Sequence, residues 1–136
     1  MRKVVATVVA AVVALLLVAC TPAEGTHFNQ LNQYRTSQGV PALRWEEAAY
    51  QKAHAWSEFM ASQDKLSHST LSHGVPSGWT ALGENVAMGP TLNSAFDALV
   101  KSAPHRANML NPKFTRAAIG VVERDGYFWI TEVFIG

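Results

Sequence analysis

Residues 102–112 read Ser102-Ala103-Pro104-His105-Arg106-Ala107-Asn108-Met109-Leu110-Asn111-Pro112. A helix-like segment precedes them and a strand-like one follows. The prolines fix their own φ and restrict the residue before them, so the chain is led along a set path between two elements. A histidine at such a junction is held by the scaffold and can face a cleft. Read alone, the stretch is equally a polar loop with one solvated His, and both readings stand at this point.

On the N-terminal side of that stretch, Thr91 suits the cap of a helix over about 92–102, with Leu92, Ala95, Phe96, Leu99 and Val100 as its apolar face. On the C-terminal side are two strand signals, Ala118–Val122 and Tyr127–Phe134. Arg124-Asp125-Gly126 lies between them, and Asp-Gly marks a tight antiparallel hairpin. Counted by two, Glu132 shares a face with Phe128, Ile130 and Phe134. A carboxylate there needs a partner or water, so it either reaches solvent at a strand end or lines a cleft.

Farther back, Ser62–Gly89 has no apolar period and is rich in Ser, Thr, His and Gly. A stretch this long without clear elements is often functional. It holds His68, His73 and Gly83-Glu84-Asn85. Before it, Glu46-Glu47 opens a helix whose stripe is Ala49, Ala53, Trp56 and Met60. His54 falls off that stripe and reads as a solvated surface residue. Phe28, Leu31 and Tyr34 or Arg35 recur at helical spacing and predict a first helix over 27–38, stopped by Gly39. Val40-Pro41-Ala42-Leu43 reads as an extended connector. His27, beside the N-terminal segment, reads as solvated. Helices with a terminal hairpin give an α+β domain.

The N-terminus reads differently. Met1-Arg2-Lys3 is basic, Val4–Ala19 is apolar except for Thr7, and Cys20 ends the run. This is the pattern of a secretory signal over 1–19. Leu17-Val18-Ala19-Cys20 also resembles the bacterial lipobox, whose Cys is acylated and becomes the first mature residue. Cys20 is the only Cys in the chain. A plain signal peptide or an uncleaved anchor helix are the alternatives, although the run is shorter than the ~20 residues a span prefers. Residues 20–26 then form the lipidated Cys and a tether, and 27–136 the domain.

Removal of 1–19 leaves 117 of the 136 residues, with no second Cys and so no internal disulfide. Loss of Arg2 and Lys3 leaves 9 basic against 10 acidic residues, a net charge of −1. No basic stripe remains, which argues against a nucleic-acid partner.

Six pieces, in order, carry a family likeness: Leu43-Arg44-Trp45, Leu66-Ser67-His68-Ser69, Gly83-Glu84-Asn85-Val86-Ala87, Ser102–Leu110, Ile119-Gly120-Val121, and Phe128–Phe134. Together they resemble the CAP superfamily, or SCP-like domains, which includes cysteine-rich secretory proteins, venom allergens and plant pathogenesis-related proteins. The likeness covers nearly all of 27–136 and points to the bacterial branch. It implies an α-β-α sandwich, a small antiparallel sheet between helices, with a third strand within Thr80–Met88.

Eukaryotic members hold two His and two Glu in a cleft, and some bind zinc or another divalent metal there. By resemblance the first His is His68, the first Glu is Glu84 and the second His is His105. The second Glu position falls on Ser102, so the set is incomplete.

Neutral imidazoles suit zinc, and a catalytic zinc usually takes three protein ligands. Glu84 is either the third ligand or the acceptor that orients a His. Glu132 is a candidate replacement acid, at a position where similar bacterial sequences carry an amide. His73 reads as an exposed loop residue, with metal binding as the alternative. Ser67, Ser69 or Ser102 as the nucleophile of a Ser-His-Asp set is a weaker reading, because the sequence has no Gly-flanked elbow and assigns no oxyanion hole. Arg106 and Asn108 are expected to fix the loop by bonding to backbone carbonyls.

Three roles for the cleft follow. The first is an exported lipoprotein on the outer face of the bacterial membrane, or a secreted protein, whose cleft binds a small ligand, lipid, wall component, protein or divalent metal. The second is a metal-dependent hydrolase, a peptidase or esterase, using water activated on the ion. The third is a purely structural trio of buried hydrogen bonds. The missing fourth acid favours binding.

Overall fold

The computed structural model describes residues 21–136; the signal and lipobox expectations for residues 1–20 lie outside the described residues. Helix α1 runs Pro22–Ser37. It starts five residues earlier than the apolar spacing indicates, so 22–26 are its first turn rather than a tether. The start is local chemistry. Pro22 stands where a helix has no need of an N–H, and the Glu24 carboxylate accepts the Thr21 N–H at 2.6 Å.

The buried face of α1 is Glu24, His27, Leu31 and Arg35. Leu31 and Arg35 of the spaced set Phe28, Leu31 and Tyr34 or Arg35 are on this face; three of its four residues are polar, which is why hydrophobic spacing also drew in Phe28 and left out Glu24 and His27. His27, expected in solvent, has no exposed surface.

A short strand β1 (Arg44–Trp45) leads into α2 (Glu47–Gln63). The Glu46 carboxylate accepts from the Ala48 N–H at 3.3 Å, and Asp64 closes the helix in the left-handed region, φ 49°. Then come β2 (Leu82–Gly89), α3 (Leu92–Lys101), α4 (Ala103–Met109), β3 (Arg116–Arg124) and β4 (Tyr127–Ile135). The expected third strand is β2. The opening stretch is no loop: Ser102 leads into α4, with Pro104 in its first turn.

The sheet order is β1-β3-β4-β2. The β3–β4 and β2–β4 pairs are antiparallel, but β1 runs parallel to β3, so the sheet is mixed. The hairpin turn is Asp125-Gly126, with φ 51° and 79°. Two successive positive φ values match the twist of the flanking strands.

Pairing fixes which side chains share a face. Asn85, Ile119 and Glu132 are aligned, as are Glu84, Val133 and Ala118. One face packs Ile119, Ile130 and Phe134 against Leu31 of α1, Leu99 of α3 and Met109 of α4. The other packs Ala118 and Val133 against Ala49 and Ala53 of α2. This is an α-β-α sandwich.

Helix α2 lies very close to the sheet. A Cβ added at Gly120 would sit 2.2 Å from the Ala53 carbonyl, so no larger residue fits. Beside it the Ser57 hydroxyl donates to the Gly120 carbonyl at 2.9 Å. That close approach puts Ser57 in the core and turns Trp56, expected there, partly outward.

Candidate functional site

One loop and two helices, α2 and α4, are stitched around the edge strand β2. Glu84 is buried on the α2 face of that strand. Its carboxylate accepts the Ser69 N–H at 2.9 Å and the Ser69 hydroxyl, and it contacts His68 Nδ1 at 2.9 Å. Lys52 of α2 donates to the Ser69 hydroxyl and to the Thr70 carbonyl, each at 2.8 Å. Burial pulls the Lys52 ammonium below the usual lysine pKa, while the Glu84 charge acts the other way. Trp56 Nε1 donates to the Ser67 carbonyl at 2.7 Å. The segment 67–70 is therefore clamped to both α2 and β2.

Helix α4 is clamped from the other side. Asn85 donates to the His105 carbonyl at 3.0 Å and to Glu132 Oε2 at 2.9 Å. Asn108 donates to Asn85 Oδ1 at 3.0 Å and, at 3.4 Å, to the Glu84 carbonyl. Arg106 donates to the Val100 carbonyl at 2.9 Å. Arg106 and Asn108 thus hold backbone carbonyls, as their positions in the sequence led us to expect.

Beside β2 these elements leave a cavity of about 150 Å³. Leu66, Val86, Met88 and Leu99 give it apolar walls, and Ser102 and His105 supply its polar groups. The Ser102 hydroxyl lies 2.7 Å from His105 Nδ1. A hydroxyl therefore partners the ring at the position where the resemblance expects a carboxylate.

This placement separates the expected metal ligands. Both Glu84 oxygens are engaged by Ser69 and His68, and His105 Nδ1 is engaged by Ser102. Among the described residues no three His, Cys, Asp or Glu side chains stand close enough to hold a metal ion. His68, Glu84 and His105 as arranged do not fit a three-ligand zinc centre.

Glu132 is not the replacement acid. It lies on the sheet face opposite Glu84, fully buried, with Oε1 2.7 Å from His27 Nε2. His54, expected in solvent, is partly buried with Nδ1 2.9 Å from Glu24 Oε1; that oxygen also accepts the Val121 N–H at 3.0 Å. Ser102 and His105 are adjacent, but no carboxylate is bonded to His105 among the described residues, so they do not complete a triad. Among the candidate nucleophiles Ser67 contributes its carbonyl to Trp56, and the Ser69 hydroxyl is bound by Glu84 and Lys52.

Sequence reading missed His27, Asn85 and Lys52. Asn85 alone carried a signal, its place beside Glu84 in Gly83-Glu84-Asn85.

Comparison with known proteins agrees with this fold. The family profile described as the cysteine-rich secretory protein family, CAP, matches residues 28–134. The uncharacterized protein YkwD of Bacillus subtilis (strain 168) is 33% identical over 114 residues, covering 77% of this chain and 44% of that protein. An extracellular SCP-domain protein from Bacillus anthracis superposes with a TM-score of 0.72 at 27% identity, over 83% of this chain and 40% of its own. An outer surface protein from Borrelia burgdorferi superposes with a TM-score of 0.70 at 15% identity, over 83% of this chain and 91% of its own, a likeness of fold alone. The chain spans less than half the length of the two Bacillus proteins. By its matched profile and its α-β-α architecture, the chain belongs to the CAP superfamily, the cysteine-rich secretory protein family.

Proposed function

We propose that this CAP domain is an exported binding module that seats a small amphiphilic group in the cavity beside β2. One observation carries the reading: the cavity has apolar walls and a polar end made by Ser102 and His105, while the Glu84 carboxylate is committed to holding 67–70. Apolar walls favour a short hydrocarbon segment, and the Ser102–His105 pair favours a hydroxyl or carbonyl at its end. A volume of about 150 Å³ admits the end of a lipid chain or a small wall component rather than a whole folded ligand.

The test is a titration of the full chain with straight-chain alcohols of increasing length, followed by NMR shifts. Shifts should concentrate at Leu66, Val86, Leu99 and His105, and affinity should rise with length until the cavity is full. Replacing Ala98, which lines the cavity, by Trp should abolish the effect. Shifts that persist in Ala98→Trp would sink the reading. Zinc titration against a His68→Ala, His105→Ala double variant examines the metal alternative, and identical heats would remove it. Ester or peptide hydrolysis lost in that double variant would instead favour the hydrolase.

Export rests on residues 1–19, and anchoring on an acyl group at Cys20. The extracellular Bacillus anthracis relative supports a location outside the cell. Among the described residues no helix is long and apolar enough to cross a membrane. Palmitate labelling of cells should mark the protein, and Cys20→Ser should lose the label. Equal labelling of both forms would refute the anchor.

A further inference from the structure

Among the described residues four large apolar side chains stand exposed: Phe59, Leu66, Trp79 and Tyr127. Three of them gather at one end of the sandwich. Tyr127 pairs with Arg124 at the hairpin tip. Phe59, in the last turns of α2, shares a cleft with Val122 and Arg124. Leu66 follows the end of α2 and lines the β2 cavity with Met88, which pairs with Trp129 close to the hairpin. Trp79 lies at the opposite end, where the next residue, Thr80, donates its N–H to the Gly136 carbonyl.

Helix α1 begins at the hairpin end. It runs antiparallel to β3: Glu24 accepts the Val121 N–H at 3.0 Å, and Arg35 holds the Phe114 carbonyl ahead of β3. The other Glu24 oxygen accepts the Thr21 N–H at 2.6 Å. One carboxylate therefore ties Thr21 to the edge of β3, three residues (~10 Å of strand) before Arg124. Pro22 already belongs to the helix, so Thr21 alone separates Cys20 from this end of the domain.

We propose that, with Cys20 acylated, this end of the domain lies on the outer face of the cell membrane, with Phe59, Leu66 and Tyr127 at the boundary between headgroups and acyl chains. The proposal rests on the acyl-anchor reading of Cys20. A single residue spans at most ~3.6 Å, so a domain joined through Thr21 cannot swing clear of the bilayer. The exposed apolar side chains gain by leaving water, and the tyrosine keeps its hydroxyl among the headgroups. Charge does not draw this end down. In 64–65 and 123–125, Lys65 and Arg124 stand against Asp64, Glu123 and Asp125, two cations against three anions. The contact is apolar, so uncharged phosphatidylcholine should support it.

Spin labelling tests this on protein extracted from the membranes of cells that express the full chain, then placed in phosphatidylcholine vesicles. Cys20 is the only cysteine, and acylation blocks its thiol, so a nitroxide reports only a cysteine introduced elsewhere. Leu66→Cys and Tyr127→Cys probe the proposed contact, and Trp79→Cys is the reference at the far end. All three sites are exposed, and circular dichroism checks that each variant keeps the parent fold. Labels at 66 and 127 should show an oxygen-to-nickel collision ratio at least about threefold that at 79, as insertion ~5 Å into the interface implies. Equal ratios at all three sites, in a parent that takes up no label, would overturn the proposal and leave the anchor standing. Labelling of the parent at Cys20 would overturn the anchor, and this proposal with it. Spin–spin broadening between labels at 127 would show a second copy covering this end, which would also overturn it.

Discussion

Arg35→Ala should lower the unfolding free energy by at least about 4 kcal/mol, more than most single substitutions in a domain cost. Arg35 is 1% exposed on the inner face of α1. Its guanidinium donates to the carbonyls of Pro41 (2.9 Å), Met109 (2.8 Å), Asn111 (3.2 Å) and Phe114 (3.1 Å). Among the described residues no ion pair to a carboxylate accompanies these bonds, and burial holds its pKa below the usual arginine value. Arginine remains charged there, since its ordinary pKa lies far above any working pH. Truncation leaves four carbonyls without their donor and opens a hole between α1 and the 109–114 turn. Each buried unsatisfied carbonyl costs ~1–3 kcal/mol before relaxation and water entry reduce the sum.

Arg35→Lys separates charge from geometry. A lysine keeps the charge, but its single nitrogen cannot reach carbonyls spread around a planar fork. It should recover less than half of the loss. Urea denaturation followed by circular dichroism reads both variants. An Arg35→Ala protein within ~1 kcal/mol of the parent would show that the four bonds contribute little net stability. Because two of the carbonyls follow α4, the same variant should also weaken alcohol binding at the cavity that His105 lines.

The second large effect concerns His27 and Glu132, both fully buried and 2.7 Å apart. Removing either partner alone, as in His27→Ala or Glu132→Ala, should cost about 3–5 kcal/mol, because the other polar group stays buried without its match. The double variant His27→Leu, Glu132→Gln should be more stable than the sum of its single changes by at least ~1.5 kcal/mol. A glutamine there still accepts from Asn85, and a leucine fills the apolar space beside Phe96, whose ring stands 5.5 Å from that of His27.

The native pair has a flaw that such a replacement removes: His27 Nδ1 is buried with no hydrogen-bond partner among the described residues. A double-mutant cycle in urea gives the coupling directly, and strict additivity would refute it. Glu132 also holds Asn85, which holds the His105 carbonyl. Glu132→Ala should therefore weaken binding at the β2 cavity without lining it.

These two predictions mark where sequence reading failed. Both Arg35 and His27 lie on the buried face of a helix whose spacing gave Phe28, Leu31 and either Tyr34 or Arg35, and left His27 in solvent. Hydrophobic periodicity assumes that buried means apolar. Here three of the four carbonyls that satisfy a buried cation come from residues 74 to 79 positions away, and a buried His is met by a carboxylate 105 positions away. No local pattern encodes partners at that distance.

Sequence alone determined what local chemistry controls. Asp125-Gly126 set the hairpin, because two positive φ values in succession demand such residues. Thr91 set the start of α3, and the alternation after Tyr127 set β4 and the face on which Glu132 lies. The ordered motifs placed His68, Glu84 and His105 around one strand.

Tertiary structure alone decided what those residues do. It committed Glu84 to clamping Ser69 and His68, gave His105 a hydroxyl partner in Ser102, and brought His27 of α1 against Glu132. The reason is physical. The identity of a buried polar residue fixes what it must bond, but only the packing of distant elements fixes what it can reach.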